Sequence, residues 1–437
     1  MSRLLRASAL VALFVLAVAP RDGRAQDTTA RGITLIGNYD PLRGKVGIVV
    51  LPVGGAGGDS VRSIIQRDLD YSDRFTVIPL DSAPGVVLSP GGPGLNYALF
   101  SRIAAAFVVA ITPVAGGVHV ALHDVARGQV AKVSERLLPS APDREWRLGV
   151  HALADDIERS ITGRAGIATT RVAYMRGASI RMVDSDGASD IAIPTDENGV
   201  SPAWNPAGTM LAYSTFGVAS RIVALDLLTG RSRTVVGPAQ NSVYISPSFS
   251  PDGSRLIYAR GGEEQADLYA VGITGSESPH RLTVARSGEN TNPTMSPDGR
   301  RIAYVSNVLG RPELYIMDSD GTNVEVLTNY DDNDRNYRSD PDWSPDGRLI
   351  AYQERVKDRF QIRTIRTSGG TPKLLTNEGQ NEQPSWAPDA RHLVFTSTRT
   401  GVRQLWVIDT ESGRLRQLTR SAGSRLAAWS PRLSAQP

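Results

Sequence analysis

The residues that could support catalysis do not occur at the spacing that catalysis requires. The segment Gly58–Arg62 begins like a nucleophile elbow, the sharp turn that presents a catalytic serine, but it lacks the closing glycine. The glycine-rich run Gly54–Gly58 lacks both the Gly-Lys pair of a P-loop and the spacing of a dinucleotide-binding turn. The sequence has no cysteine, which excludes thiol catalysis, disulfides and cysteine-ligated metals. We therefore expect neither an enzyme nor a bound cofactor.

Side chains that could bind a metal ion are also poorly spaced for it. His119 and His123 fall in a predicted strand, where four residues separate their Cα atoms by about 13 Å, too far to share one ion. The acidic run Asp331–Asn336 is similar to a calcium loop but lacks glycine at its sixth position and the distant glutamate. We interpret it as a polar loop and predict no metal site. We expect His151 on the polar side of a helix.

Polar residues recur in the second half of the chain, just before the predicted first strand of a repeated unit. The candidate partner-binding residues are Asn241, Asn290, Asn292, Arg338, Asp340, Glu382 and Gln383. One interpretation is that they form solvated loops. The other is a ring of hydrogen-bonding groups around a channel mouth, which grips an inserted loop of a partner or a small ligand. Asn292, Asp340 and Gln383 directly precede a proline and are expected nearest the channel.

The elements that would position these residues repeat. Six segments resemble Ser-Pro-Asp-Gly, with prolines 45, 46, 48, 43 and 43 residues apart, and an aromatic residue follows seven positions after each of the first five. Proline and glycine favour a turn there. Four short strands in about 45 residues are typical of a propeller blade. The aspartates of these turns are expected to accept hydrogen bonds from turn N–H groups, and they are Asp252, Asp298, Asp346 and Asp389.

The two ends of the repeated region complement each other. The sixth copy stops soon after Trp429, whereas Arg171–Tyr174 has the pattern of a second strand with no turn motif before it. We predict that residues 170–437 form a β-propeller of six four-stranded blades, in which the C-terminal strand completes a composite blade. An open solenoid is the alternative, and it would leave both fragments with unpaired edges.

The first part of the chain contains an export signal and a small α/β domain. Arg3 and Arg6 precede a 13-residue apolar stretch, and small residues lead to a predicted cleavage site near Ala25. Such a stretch rises only about 20 Å as a helix, short of the roughly 30 Å membrane core. Residues 1–25 are therefore predicted to be a signal peptide. Residues 26–165 are predicted to form the α/β domain, ending in a helix over 144–162.

The charge of the chain argues against nucleic-acid binding. Of 48 basic and 45 acidic residues, four arginines and one aspartate lie in residues 1–25, so the remainder carries 44 of each sign. A nucleic-acid-binding protein usually shows an excess of basic residues.

These features together resemble one family. The Ser-Pro-Asp-Gly repeats, the junction segments Ile161–Gly166 and Thr170–Tyr174, and the N-terminal segments Asp68–Phe75 and His151–Asp155 are similar to TolB proteins. The resemblance covers the mature chain in order.

The resemblance implies a non-enzymatic, monomeric scaffold of the periplasm. It implies binding of Pal, the peptidoglycan-associated lipoprotein, and a contact of TolA with the mature N-terminus, here Gln26–Ile33. It further implies a role in outer-membrane integrity and in envelope constriction during cell division. Two alternatives are a calcium-dependent propeller hydrolase, which needs convergent carboxylates in the channel, and a propeller associated with a peptidase.

Overall fold

A computed structural model describes residues 44–55, 57–80, 94–139, 143–195, 198–216, 219–239, 241–262, 265–285, 288–328 and 337–434. Three predicted segments lie outside these residues. They are the signal peptide at 1–25, the segment expected to contact TolA at 26–33, and the acidic run at 331–336.

Among its described residues, the N-terminal α/β part contains one mixed sheet and three helices. The strands are β1 (Val46–Val50), β2 (Phe75–Val77), β3 (Phe107–Val114), β4 (Gly117–Asp124) and β5 (Gln129–Leu137), and the helices are α1 (Gly58–Tyr71), α2 (Tyr97–Arg102) and α3 (Arg144–Thr162). The sheet order is β2-β1-β3-β4-β5, with β1 parallel to both of its neighbours. Asp143 caps the start of α3, and Gly163 ends it with φ of 72°.

The core of this part forms where α1 and α3 pack on the sheet. Both helices present apolar residues at spacings of three and four, so each has one apolar face. Val150, Leu153 and Ile157 of α3 are buried against Ile65 and Leu69 of α1. The predicted helix over residues 144–162 and its apolar stripe are confirmed.

The remaining strands alternate between short connections. They are β6 (Arg171–Arg176), β7 (Ser179–Asp184), β8 (Ile191–Ala192), β9 (Gly199–Trp204), β10 (Met210–Phe216), β11 (Ser220–Asp226), β12 (Ser232–Ala239), β13 (Val243–Phe249), β14 (Arg255–Gly261), β15 (Gln265–Gly272), β16 (His280–Arg281), β17 (Gly288–Met295), β18 (Arg301–Ser306), β19 (Glu313–Asp318), β20 (Glu325–Val326), β21 (Arg338–Trp343), β22 (Leu349–Val356), β23 (Arg359–Arg366), β24 (Lys373–Leu374), β25 (Asn381–Trp386), β26 (His392–Ser397), β27 (Gln404–Asp409), β28 (Leu415–Gln417) and β29 (Ser424–Trp429). Among the described residues they form four four-stranded sheets and one eight-stranded sheet, in which β15 pairs with β17. We call each four-stranded sheet, and each half of the larger one, a unit.

The units are arranged in a closed ring of propeller type. The strands β9, β13, β17, β21, β25 and β29 each contact the next, and β29 contacts β9. We call these the inner strands. The last of them, β29, pairs with β6, with Trp429 opposite Val172 and Ser424 opposite Arg176. The predicted pairing of the C-terminal strand with the strand at 171–174 is confirmed, and it leaves no free edge at the join.

The repeated sequence motif supplies the turns and the packing between units. The aromatic residues seven positions after the turn prolines are buried, and they are Tyr213, Tyr258, Tyr304, Tyr352 and Phe395. The turn aspartates also behave as predicted: Asp298, for example, accepts hydrogen bonds from Ser296 Oγ at 2.6 Å and from Arg300 N at 3.1 Å. These turns carry each chain segment from an inner strand to the second strand of its unit.

Candidate functional site: the channel ring and the junction

Each inner strand bulges at the same position. In every one of the six, the pairing with its neighbour shifts register around one residue with φ between 50° and 56°. These six residues, which we call the channel ring, are Ser201, Ser246, Asn292, Asp340, Gln383 and Leu426. The next residue is proline in the first five, and proline has no N–H to donate to the strand ladder. The bulge leaves the ring residue without a strand partner and turns its side chain inward.

The channel ring lines a cavity of about 350 Å³ on the axis of the propeller. Asn292 Nδ2 donates to Asp340 Oδ1 at 3.0 Å, so the two units touch through their ring residues. Gln383 Oε1 accepts a hydrogen bond from Leu426 N at 3.1 Å. The three predicted residues that directly precede prolines therefore lie at the channel.

Two carboxyl groups in this cavity have a raised pKa. Burial raises the pKa of Asp340 to about 6, against the opposing hydrogen bond from Ser339, and the charge of Glu382 adds to the increase. Burial also raises the pKa of Asp342 to about 6, although Asp342 accepts a hydrogen bond from Trp386 N at 2.6 Å. The channel therefore carries carboxylates that gain protons close to neutral pH.

Two predicted residues, Asn290 and Arg338, do not line this cavity. Asn290 is buried, and its Nδ2 donates to Asp267 of the preceding unit at 3.0 Å. Arg338 is buried between Glu313, at 2.7 Å, and Glu354, at 2.8 Å. Both residues stand two positions before a ring residue and point towards the neighbouring unit. Their polar atoms form hydrogen bonds and ion pairs with the preceding unit, so both residues connect neighbouring units.

The other two predicted residues lie outside the cavity lining. Glu382 is half-buried, accepts from Gln380 Nε2 at 3.0 Å and lies 3.6 Å from Arg403. Asn241 is exposed and five positions ahead of Ser246, which occupies the ring position in that unit. Ser201 and Ser246 were missed by the sequence analysis. The signal was present, since both directly precede a proline in an inner strand.

A second concentration of polar groups lies where the α/β part meets the ring, and we call it the junction. His151 was predicted on the polar side of its helix, and this was wrong: it is 1% exposed, with Nδ1 at 2.7 Å from Asp68 Oδ2. Asp184 and Asp186 of the propeller face the same histidine. The docking of α3 brings His151 close to them. Arg147 donates to Asp184 at 3.2 Å and to Asp186 at 2.8 Å.

The same junction contains a second buried histidine. His392 is fully buried, with Nδ1 at 2.7 Å from Asp389 and Nε2 at 3.3 Å from Asp73 of the α/β part. Burial by itself would lower the pKa of His392, but the charge and hydrogen bond of Asp389 and the hydrogen bond of Asp73 raise it to about 9. Arg414 extends the contact to Asp70 at 2.6 Å. His392 is thus a cation that ties two carboxylates from opposite sides of the junction.

One group in the junction has the composition of a metal site. Ligand atoms of His151, Asp184 and Asp186 lie within 4.8 Å of one another. Arg67 and Arg147 already donate to Asp186, and Arg171 donates to Asp184 at 3.0 Å. The guanidinium groups supply the positive charge that these carboxylates need, so the donor set fits an ion-pair network better than a metal centre.

The described residues give no sign of a membrane-spanning helix: none of their three helices has the length together with the apolar character that crossing a bilayer requires.

Comparison with known proteins gives concordant results. A family model described as the TolB beta propeller domain matches residues 158–433. The Tol-Pal system protein TolB of Methylococcus capsulatus (strain Bath) is 32% identical over 210 residues, which cover 44% of this chain and 48% of that protein. The protein of the same description from Actinobacillus pleuropneumoniae serotype 5b is 30% identical over 224 residues, covering 48% and 52%. The chain thus spans about half the length of the curated relatives it matches.

The solved structures add a likeness over a longer stretch. The crystal structure of TolB from Acinetobacter baumannii aligns with a TM-score of 0.76 over 89% of this chain and 97% of that one. Its sequence identity is 23%, so this likeness is evidence of a common fold. It includes the α/β part, which lies largely outside the match to the family model.

Proposed function

The chain belongs to the TolB family, and from this premise we propose that it is a non-enzymatic periplasmic scaffold whose channel binds a Pal-like, peptidoglycan-associated lipoprotein. The scaffold would be a monomer with a signal peptide at 1–25, an α/β domain at 26–165 and a propeller at 170–437. Counting the eight-stranded sheet as two blades gives six blades. A contact of TolA with the mature N-terminus, and a role in outer-membrane integrity and cell division, belong to the same proposal.

The observation that carries this proposal is the channel ring. A bulge at one position in every inner strand directs the ring side chains, five of them polar, into one cavity. Serine, asparagine, aspartate and glutamine can both donate and accept hydrogen bonds there, once Asp340 is protonated. A polar loop of a partner could exchange its bound water for these groups. The ring contains no nucleophile paired with a base, so it is suited to binding rather than to catalysis.

The test replaces three ring residues together: Asn292→Ala, Asp340→Ala and Gln383→Ala. Each loss of a buried hydrogen-bond partner typically costs about 1–3 kcal/mol. The triple variant should therefore bind the purified, lipid-free domain of the Pal-like partner at least about 100-fold more weakly. Isothermal titration calorimetry measures the affinity, and circular dichroism checks that the fold is retained.

Asn290→Ala is the matched control, because Asn290 is the same residue type in the same strand, two positions away. It contacts Asp267 of the neighbouring unit, so it should lower stability and leave affinity nearly unchanged. The turn variant Asp298→Ala should behave likewise. If the triple variant binds as tightly as the wild type, the ring is only a hydrated channel and this proposal fails.

A further inference from the structure

A second cavity, beside the channel, lies against the junction. It has a volume of about 520 Å³ and is bounded by the start of α3, by β7, β8 and the turns around β10 and β11, and by the segment after β29. Most of its wall is aliphatic, including Leu148, Met182, Ile193, Leu225 and Leu228. Cavities of about 300–1,000 Å³ with apolar walls and a few polar groups are typical of small-molecule sites.

One charged group in this wall is not neutralised. The other arginines near the junction carboxylates Asp184 and Asp186 are paired: Arg67 with Asp186, Arg147 with both, and Arg171 with Asp184. Arg144, by contrast, has a buried Nε with no hydrogen-bond partner among the described residues. Burial and the charge of Arg171 lower the pKa of Arg144, with smaller opposing contributions from Asp184 and Glu145. A buried donor of this kind normally has an acceptor.

The acidic residues of the cavity wall do not supply that acceptor. Asp226 accepts hydrogen bonds from the N–H groups of Leu228, at 2.9 Å, and of Thr229, at 2.8 Å. Glu145 is exposed. Among the residues that the structure describes, the cavity therefore combines an aliphatic wall with one guanidinium whose Nε has no hydrogen-bond partner.

We propose that this cavity binds a small amphiphile with an aliphatic body and one carboxylate, the body against Leu148, Met182 and Ile193 and the carboxylate on Arg144. Guanidinium and carboxylate groups pair through two parallel hydrogen bonds, which are stronger than neutral ones. Burying the aliphatic body removes apolar surface of both ligand and wall from water. A ligand with one negative charge matches Arg144, whose Nε has no acceptor among the described residues of the wall.

This site is distinct from the proposed partner site. The two cavities share the side chain of Trp204 in their linings, but none of the six ring residues lines the second cavity. Failure of lipoprotein binding and failure of amphiphile binding are therefore separate results, measured with different ligands and different variants.

The test uses dodecanoate below its critical micelle concentration, titrated calorimetrically into the full mature chain, with dodecan-1-ol as the neutral analogue. We expect dodecanoate to bind one site and Arg144→Met to weaken it about tenfold or more, because methionine keeps an apolar stem and removes the charge. Arg102→Met is the matched control, since Arg102 is exposed at the end of α2. It should leave the affinity unchanged.

A second variant tests the location of the site. Leu228 lines the cavity but is 70% exposed, so Leu228→Glu should fold normally while placing a negative charge at the cavity. The Leu228→Glu substitution should lower the affinity for dodecanoate more than the affinity for dodecan-1-ol. The proposal is overturned if the wild type binds no dodecanoate, if Arg144→Met binds it equally well, or if Leu228→Glu leaves its affinity unchanged.

Discussion

The channel ring and the junction both bury polar groups, but they do so in opposite ways. In the ring, side chains come from one repeated position and are mostly uncharged, and the space between them is open to a ligand. In the junction, full charges from unrelated parts of the chain pair at 2.6–3.3 Å. The ring residues can still form hydrogen bonds with another molecule, whereas the junction residues already pair with one another.

The difference follows from what each region must do. Repetition places similar groups around an axis, which suits the recognition of something inserted along it. A buried ion pair contributes little net stability over an apolar pair, but removing one partner is costly, so such pairs oppose alternative arrangements. The comparison implies that substitutions in the ring change binding first, and that substitutions in the junction change stability first.

The segment that belongs to both regions should be the most sensitive. Strand β29 contributes Leu426 to the ring, and Arg432 beyond it donates to Gly166 O at 2.7 Å at the junction. Deleting residues 424–437 should lower the free energy of unfolding by several kcal/mol, since a buried tryptophan such as Trp429 alone contributes about 3–5 kcal/mol. Urea unfolding followed by circular dichroism measures the loss.

Trp429→Ala is a milder change than the deletion, because it keeps the strand but removes the buried indole, whose Nε1 donates a hydrogen bond to Thr170 Oγ1. The free energy of unfolding of Trp429→Ala should lie between the values of the wild type and of the deletion variant. A deletion variant as stable as the wild type would contradict closure of the propeller by β29.

The junction should respond to pH through His392. Its pKa is raised from 6.5 to about 9 in the folded protein, so its stabilising effect is complete below about pH 6.5 and is lost as the pH rises through about 9. A shift of this size corresponds to roughly 3 kcal/mol. The stability difference between wild type and His392→Gln should therefore shrink between about pH 6 and about pH 9, as measured by urea unfolding.

His123→Gln is the matched control for this experiment. Burial lowers the pKa of His123, so its contribution changes on the acid side and not above neutral pH. If the difference between wild type and His392→Gln stayed constant up to about pH 9, the histidine would not be the cation that links Asp73 and Asp389.

Asp340 of the channel ring should change stability with pH less than His392 does, and in another pH range. The pKa of Asp340 is raised from 3.8 to about 6, so its contribution to stability is present below about pH 4 and lost as the pH rises through about 6. Asp340→Asn should abolish this loss. We expect a smaller effect than at His392, because Asp340 is only half-buried and lines an open channel, where water screens part of its charge.

Unfolding free energies of wild type and Asp340→Asn at about pH 4 and about pH 7 measure this contribution. Asp298→Asn is the control, because hydrogen bonds from Ser296 and Arg300 lower the pKa of Asp298 and reverse the sign. A larger pH effect at Asp340 than at His392 would contradict the contrast between the two regions.

The repeated sequence was sufficient to predict three of the six ring residues but not the ion pairs. Asn292, Asp340 and Gln383 could be placed at the channel because each precedes a proline in an inner strand, and proline disrupts the ladder there. Asn290 and Arg338 stand only two positions earlier and have the same polar character. Their burial depends on Asp267 and Glu313 in the preceding unit, and the sequence pattern does not reveal which side chains meet across units.

What the sequence determined by itself is the local structure: turns set by proline and glycine, alternating strands, and a buried aromatic residue at a fixed distance from each turn. These depend on the preferences of neighbouring residues, so they can be predicted without knowledge of the fold. The tertiary structure decided the partners of the charged residues. His151 has a helical position that suits solvent, yet the docking of α3 against Asp184 and Asp186 buries it. Whether a charge is solvated or paired depends on residues far away in the chain, because burial is a property of the assembled surfaces.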